Sequence, residues 1–177
     1  QTLAGRVAGP QQVITTAAPR AESVYAADLD GDGDADVLSG SWGETIAWYE
    51  NLGGGAFGPQ QVIHSSAGWA STVYAADLDG DGDADVLAGV EWDTPLIWYE
   101  NLGGGSFGPQ QELPTATEWA RAVYAEDLDG DGDAEVLASF SGENISWYEN
   151  LGAGSFGPQQ DLASSPDGAY SVYATDL

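Results

Sequence analysis

An all-β chain built from propeller blades is the fold this sequence predicts, and three observations predict it. The segment DLDGDGDADVL runs from Asp28 to Leu38 and again from Asp77 to Leu87, DLDGDGDAEVL runs from Asp127 to Leu137, and a fourth copy opens at Asp176 just before Leu177. The starts lie 49, 50 and 49 residues apart, and a fixed period of that size marks one supersecondary unit repeated. Each period holds four short runs rich in β-branched and aromatic residues, with no helical periodicity. Four strands in about 50 residues describe one antiparallel blade.

The second period shows the elements in order. VYAAD (Val73 to Asp77) is a short apolar strand, and the acidic Gly-rich loop follows it. ADVLAGV (Ala84 to Val90) returns as a second strand. Asp93, Thr94 and Pro95 make a turn before LIWYENL (Leu96 to Leu102), the third strand. Gly103, Gly104 and Gly105 form a tight connection, and QQEL (Gln110 to Leu113) is the fourth strand. A loop carrying Trp119 leads to the next period.

The ends fit the same frame. VAGPQQVIT (Val7 to Thr15) matches the fourth-strand segment FGPQQVI, and SVYATDL (Ser171 to Leu177) matches a first strand. The expected organisation is an N-terminal segment with the last strand of a split blade (1–23), blade 1 (24–72), blade 2 (73–122), blade 3 (123–171) and the first strand of an incomplete blade (172–177). A propeller ring takes roughly 4–8 blades. Three blades with a single unpaired strand at each end are therefore a partial propeller, or one completed by another copy or by parent-chain neighbours.

Composition narrows the partners. The 42% apolar content supports a packed core. The net charge is −26, with Arg6, Arg20 and Arg121 the only cations besides one histidine. Such a surface repels nucleic-acid phosphates and anionic membranes. No apolar run approaches the ~20 residues that cross a bilayer, so no membrane insertion is expected. The three acidic loops hold 15 of the 29 carboxylates, and three divalent cations would take the charge from −26 to −20. There is no cysteine, which excludes disulfide and thiolate chemistry. There is no methionine either, so a processed or truncated product is expected.

The loop spacing points to a hard cation. In a plain strand, alternate aspartates would stack like charge at about 7 Å. Gly31 and Gly33 let the backbone curl so that the carboxylates converge, and convergent carboxylates are costly without a cation. Calcium takes six to eight oxygens at about 2.3–2.6 Å, and the spacing offers side chains at positions 1, 3, 5 and 9 with a carbonyl at position 7. Magnesium holds its water harder, and zinc lacks Cys and has His64 alone. An EF-hand is rejected: position 12 is Ser39, Ala88 or Ala138 rather than glutamate, and the flanks read as strands.

DLDGDGDADVL, WYENLGGG and FGPQQ together make the repeat resemble the FG-GAP or VCBS family, whose blades occur in integrin α-subunit propellers and in secreted bacterial and algal proteins. The resemblance runs from about Val7 to Leu177. It implies a calcium loop between the first and second strands of each blade. The implied ligands are Asp28, Asp30, Asp32, Asp34 (by its carbonyl) and Asp36; Asp77, Asp79, Asp81, Asp83 and Asp85; and Asp127, Asp129, Asp131, Asp133 and Glu135. That is about three Ca2+, one per complete loop. Glu135 departs from the usual aspartate, and Asp176 has no loop after it.

Trp48, Trp98 and Trp147 recur in WYEN and are expected between blades; Glu50, Glu100 and Glu149 recur beside them and are expected to repeat one hydrogen bond. Trp42, Trp69, Trp92 and Trp119 fall in turns and loops, where they cap blade ends or offer stacking faces. Arg20 and Arg121 lie just ahead of first strands and are expected to pair with loop carboxylates; His64 is expected at the surface. Asn144-Ile145-Ser146 fits a glycosylation acceptor inside a strand. With no cysteine and a single histidine, no nucleophilic constellation is present and no carboxylate pair stands out, so a non-enzymatic chain is expected. The functional expectation is a calcium-stabilised extracellular, secreted or cell-surface scaffold or adhesion module, self-assembling through split blades into a ring or filament. The alternative is a glycan-binding, lectin-like propeller that uses the loop tryptophans.

Overall fold

The computed structural model describes residues 11–43, 45–65, 68–91, 96–115, 119–142, 144–164 and 169–174. Twelve strands among them form three sheets. The first blade is β1 (Ala21–Ala27), β2 (Asp36–Ser41), β3 (Thr45–Tyr49) and β4 (Gln61–Ser65). The second is β5 (Trp69–Ala76), β6 (Asp85–Glu91), β7 (Leu96–Tyr99) and β8 (Gln111–Glu112). The third is β9 (Ala120–Glu126), β10 (Glu135–Phe140), β11 (Asn144–Tyr148) and β12 (Gln160–Ser164). Neighbours in sequence are neighbours in each sheet, and every pair is antiparallel.

The first strands start earlier than the apolar runs alone indicate. β1, β5 and β9 open at Ala21, Trp69 and Ala120, ahead of the expected blade starts at 24, 73 and 123. The extra residues find partners on the long second strands: Ala21 faces Ser41, Trp69 faces Glu91 and Ala120 faces Phe140. A register shift follows each of these pairs, so alternation breaks there and periodicity cannot show the extension.

Stacking of the blades makes the core. One buried cluster joins Leu29, Leu38, Ile46 and Trp48 of the first blade to Ala70, Val73, Val86 and Tyr99 of the second. The other joins Leu78, Leu87, Leu96 and Trp98 of the second to Ala120, Val123, Val136 and Tyr148 of the third. The second blade lies between the other two, and its β6 is buried almost throughout; β10 of the third blade is buried along its length as well. The expected inter-blade role holds for Trp48 (3% exposed) and Trp98 (2%). Their indoles lie against Gly105 and Gly154 in the turn of the following blade.

A tyrosine row runs along the first strands. Tyr25 and Tyr74 ring centroids are 4.4 Å apart, Tyr74 and Tyr124 5.0 Å, and Tyr124 and Tyr173 4.9 Å. Tyr173 thus extends the row from the C-terminal segment, where a further first strand would stand. At the other end, Gln12 lies against Gly55, the place that Trp48 and Trp98 occupy at Gly105 and Gly154. Among their described residues, these two segments form no ladder with each other or with the sheets. Val7 and residues 175–177 lie outside the described residues. Among the described residues no helix is long and apolar enough to cross a membrane.

Candidate metal centres

Each acidic loop joins the first strand of a blade to the second: 28–35, 77–84 and 127–134. The first aspartate folds its loop around itself. Asp28 accepts the Gly31 and Gly33 N–H groups, both at 2.9 Å. Asp77 accepts those of Gly80 (2.7 Å) and Gly82 (2.9 Å), and Asp127 those of Gly130 (2.7 Å) and Gly132 (3.1 Å). The inward curl needs a left-handed backbone at these glycines, with φ of 81° at Gly31 and 94° at Gly33. Asp30 and Asp32 then accept the N–H two residues on, at 3.2 and 2.8 Å, and the other loops repeat this pattern.

Position 9 closes the loop from the first residue of the second strand. Asp36 Oδ2 accepts the Leu29 N–H at 2.9 Å and Oδ1 the Asn51 N–H at 2.7 Å. Asp85 repeats this with Leu78 at 2.8 Å and Asn101 at 2.7 Å. Glu135 Oε2 accepts the Leu128 N–H at 2.7 Å, while its Oε1 is buried with no hydrogen-bond partner among the described residues. Asp36, Asp85 and Glu135 are all buried.

Three carboxylate clusters result, each with oxygens within 4.8 Å of one another: Asp28, Asp30 and Asp32; Asp77, Asp79 and Asp85; Asp127, Asp129 and Glu135. Position 9 joins the second and third clusters, and position 5 joins the first. Asp81 and Asp131 lie outside their clusters and accept the Asp83 and Asp133 N–H groups. Asp34, Asp83 and Asp133 contribute no side chain to these three clusters.

The electrostatics reflect crowded acid. Burial pushes Asp85 up to about 7; the Asn101 and Leu78 N–H groups oppose that rise, and Asp79 and Asp81 add to it. Burial is also the leading cause of the upward shifts at Asp30, Asp79 and Glu135, and neighbouring carboxylates add to each. An all-oxygen donor set with the buried, unpartnered Glu135 Oε1 fits a hard divalent cation, so the clusters could bind metal ions.

Other expectations met different outcomes. Among the described residues Arg20 and Arg121 do not pair with loop carboxylates: Arg20 lies over Trp42 at 5.2 Å and Arg121 over Tyr170 at 4.5 Å. Both stand at the end of a first strand opposite the acidic loop, and the seven residues of β1 span roughly 23 Å. His64 is not a free surface residue; it sits in β4, half-buried, its ring 5.7 Å from Tyr99 of the next blade. The repeated bond at Glu50, Glu100 and Glu149 is made by their main-chain carbonyls, which accept the Gly58, Gly108 and Gly157 N–H groups at 2.8 Å. Trp42 is half-buried, with the Trp69 ring stacked on it at 4.4 Å and 7° and Arg20 also lying over its ring. Trp119 is 44% exposed, and Trp92 lies outside the described residues. Asn144–Ser146 lies in β11, with Ser146 buried and donating to Asp161 at 2.7 Å.

Sequence reasoning missed the asparagine of WYEN. Asn101 Nδ2 donates to Ala84 O at 3.0 Å in its own blade and to Leu29 O at 2.9 Å in the preceding acidic loop. Asn150 does the same with Ala134 O (3.0 Å) and Leu78 O (2.8 Å). Its recurrence beside the glutamate was the available signal.

A family model described as FG-GAP-like repeat matches residues 28–88 and 87–138, a stretch that contains all three acidic loops. The chain belongs to the FG-GAP-like repeat family. No curated protein matches this FG-GAP-repeat chain. Among solved structures it is similar to a crystal structure of "BBS1N in complex with ARL6DN, soaked with lead", at 10% identity and a TM-score of 0.42. The match covers 94% of this chain and 59% of that one, so the chain spans well under two thirds of that protein's length.

Proposed function

We propose that this FG-GAP-repeat chain is a calcium-stabilised, non-enzymatic structural or adhesion module that works outside the cell or at its surface. The observation that carries it is the Asp77, Asp79 and Asp85 cluster, three carboxylates within 4.8 Å with Asp85 fully buried at the start of β6. A cation there relieves the mutual repulsion and ties the loop to the second strand. The carboxylates that would hold it in the first blade are Asp28, Asp30 and Asp32. In the second blade they are Asp77, Asp79 and Asp85, and in the third Asp127, Asp129 and Glu135. Extracellular calcium, at about millimolar levels, suits the weaker sites of such modules. Thermal melting in calcium, in magnesium and in chelator tests it. A marked rise in Tm with calcium and a fall on chelation are expected. Identical melts in all three would overturn the proposal.

The blade faces support self-assembly as the use of this rigidity. Val24 is 67% exposed, whereas its equivalents Val73 and Val123, each covered by the preceding blade, are 4% and 6% exposed. At the other end Leu162 is 58% exposed against 2% for Leu113. Both outer faces thus carry apolar positions that a stacked blade covers elsewhere in the chain. A second copy of the chain is the partner we assign to them. Sedimentation over a concentration series should show association that Val24→Lys and Leu162→Lys weaken; a monomer at every concentration would rule it out.

A further inference from the structure

The closing carboxylates of neighbouring loops belong to one line of hydrogen bonds. Leu29, between Asp28 and Asp30, gives its N–H to Asp36 and receives the Asn101 side-chain N–H on its carbonyl. The main-chain N–H of Asn101 holds Asp85 Oδ1, and Asp85 Oδ2 holds the N–H of Leu78. The Leu78 carbonyl in turn receives Asn150 Nδ2, which also holds the carbonyl of Ala134, the residue before Glu135. Asn101 (1% exposed) and Asn150 (3% exposed) are buried, so these bonds act in a medium that strengthens them. Asn51 makes the intra-blade bond to Ala35 O at 2.9 Å but no inter-blade bond among the described residues.

We propose that Asn101 and Asn150 are positioning residues that couple adjacent cation sites, so that an ion in one acidic loop raises the affinity of the next; this rests on calcium binding at the loops. An ion that draws Asp28 and Asp30 together fixes the peptide of Leu29 between them. The Leu29 carbonyl then holds the Asn101 side chain in place, and the Asn101 main chain orients Asp85 for the second site. The second ion meets a carboxylate that is already ordered, and less conformational freedom is lost when it binds. From the Leu78 loop the line runs through the Asn150 side chain to the carbonyl of Ala134, which fixes the backbone immediately before Glu135 and so positions the third site. Coupling of this kind is reciprocal, so the effect passes in both directions.

The test is a calcium titration by calorimetry, cross-checked with terbium luminescence, on the full chain and on Asn101→Ala, Asn150→Ala and Asn51→Ala, with circular dichroism to confirm folding. The full chain should bind with positive cooperativity. Asn101→Ala and Asn150→Ala should reduce the ratio between successive affinities by about fivefold or more, and Asn51→Ala should leave that ratio unchanged. If the asparagine variants do not fold, Asp79→Ala in the otherwise unaltered chain replaces them: loss of the second site should weaken the two flanking sites several-fold. Three equal, independent sites, or asparagine variants that lower Tm without changing the affinity ratio, would overturn the coupling while leaving calcium binding standing. No binding of either ion would remove both proposals.

Discussion

The indole of Trp98 occupies the space in which a Cβ on Gly154 would stand, with Trp98 Cη2 2.5 Å from that point. Gly154 also has φ of 67°, so the position excludes a side chain on two counts. Gly154→Ala is expected to destabilise the fold by about 2–4 kcal/mol, from left-handed strain and overpacking together. Urea denaturation measures it. A loss near zero would mean that the third-blade turn does not seat on the indole as described.

The three WYEN tryptophans should differ although their sequence context is the same. Trp48 and Trp98 are buried under a following blade, whereas Trp147 is half-buried. Trp48→Ala or Trp98→Ala should cost about 3–5 kcal/mol, and Trp147→Ala clearly less. Equal losses at all three would show that the outer face of the third blade is covered in solution, and sizing the same sample would show whether a second copy covers it.

Ala153 has φ of 52° in the β11–β12 turn, where the other two blades have Gly54 and Gly104. Ala153→Gly should therefore stabilise the chain by about 1 kcal/mol, in contrast to the usual effect of an added glycine. The comparison of unfolding midpoints is direct, because the side chain is a single methyl group.

The raised acid of the second blade sets a pH dependence for the ion-stripped protein. The folded-state value for Asp85 is about 7 against an ordinary 3.8, so the folded state binds a proton more tightly than the unfolded one. Its contribution is fully present below about pH 4 and is lost as pH rises through 7. The upward shifts of Asp30, Asp79 and Glu135 act in the same direction. Denaturation in chelator should show stability falling across this window, and Asp85→Asn should flatten the slope. With calcium present the sign inverts, since protons compete with the ion and binding weakens as pH falls below 7. Stability in chelator that rises with pH would contradict the burial of Asp85.

Much of the blade was readable along the chain because its signals are local. The period, the acidic loops and the Gly-rich turns each act within a few residues, and the strands they bound came out in the expected order. Strand starts were not readable, since Ala21 and Ala120 pair across a register shift that breaks alternation. The arginines were misplaced because closeness in sequence to an acidic loop says nothing when a whole strand lies between.

By itself the sequence determined that the chain repeats an antiparallel four-stranded unit and that each unit carries a curled run of carboxylates, because periodicity and turn chemistry are properties of short segments. Only the tertiary structure decided which carboxylates converge, with Asp32 joining the first cluster and Asp85 and Glu135 the others. It also decided that Asn101 and Asn150 reach carbonyls 72 residues earlier. Those contacts depend on how one blade is set against the next, and that is governed by side chains such as Trp48 and Trp98 packing onto a neighbouring turn.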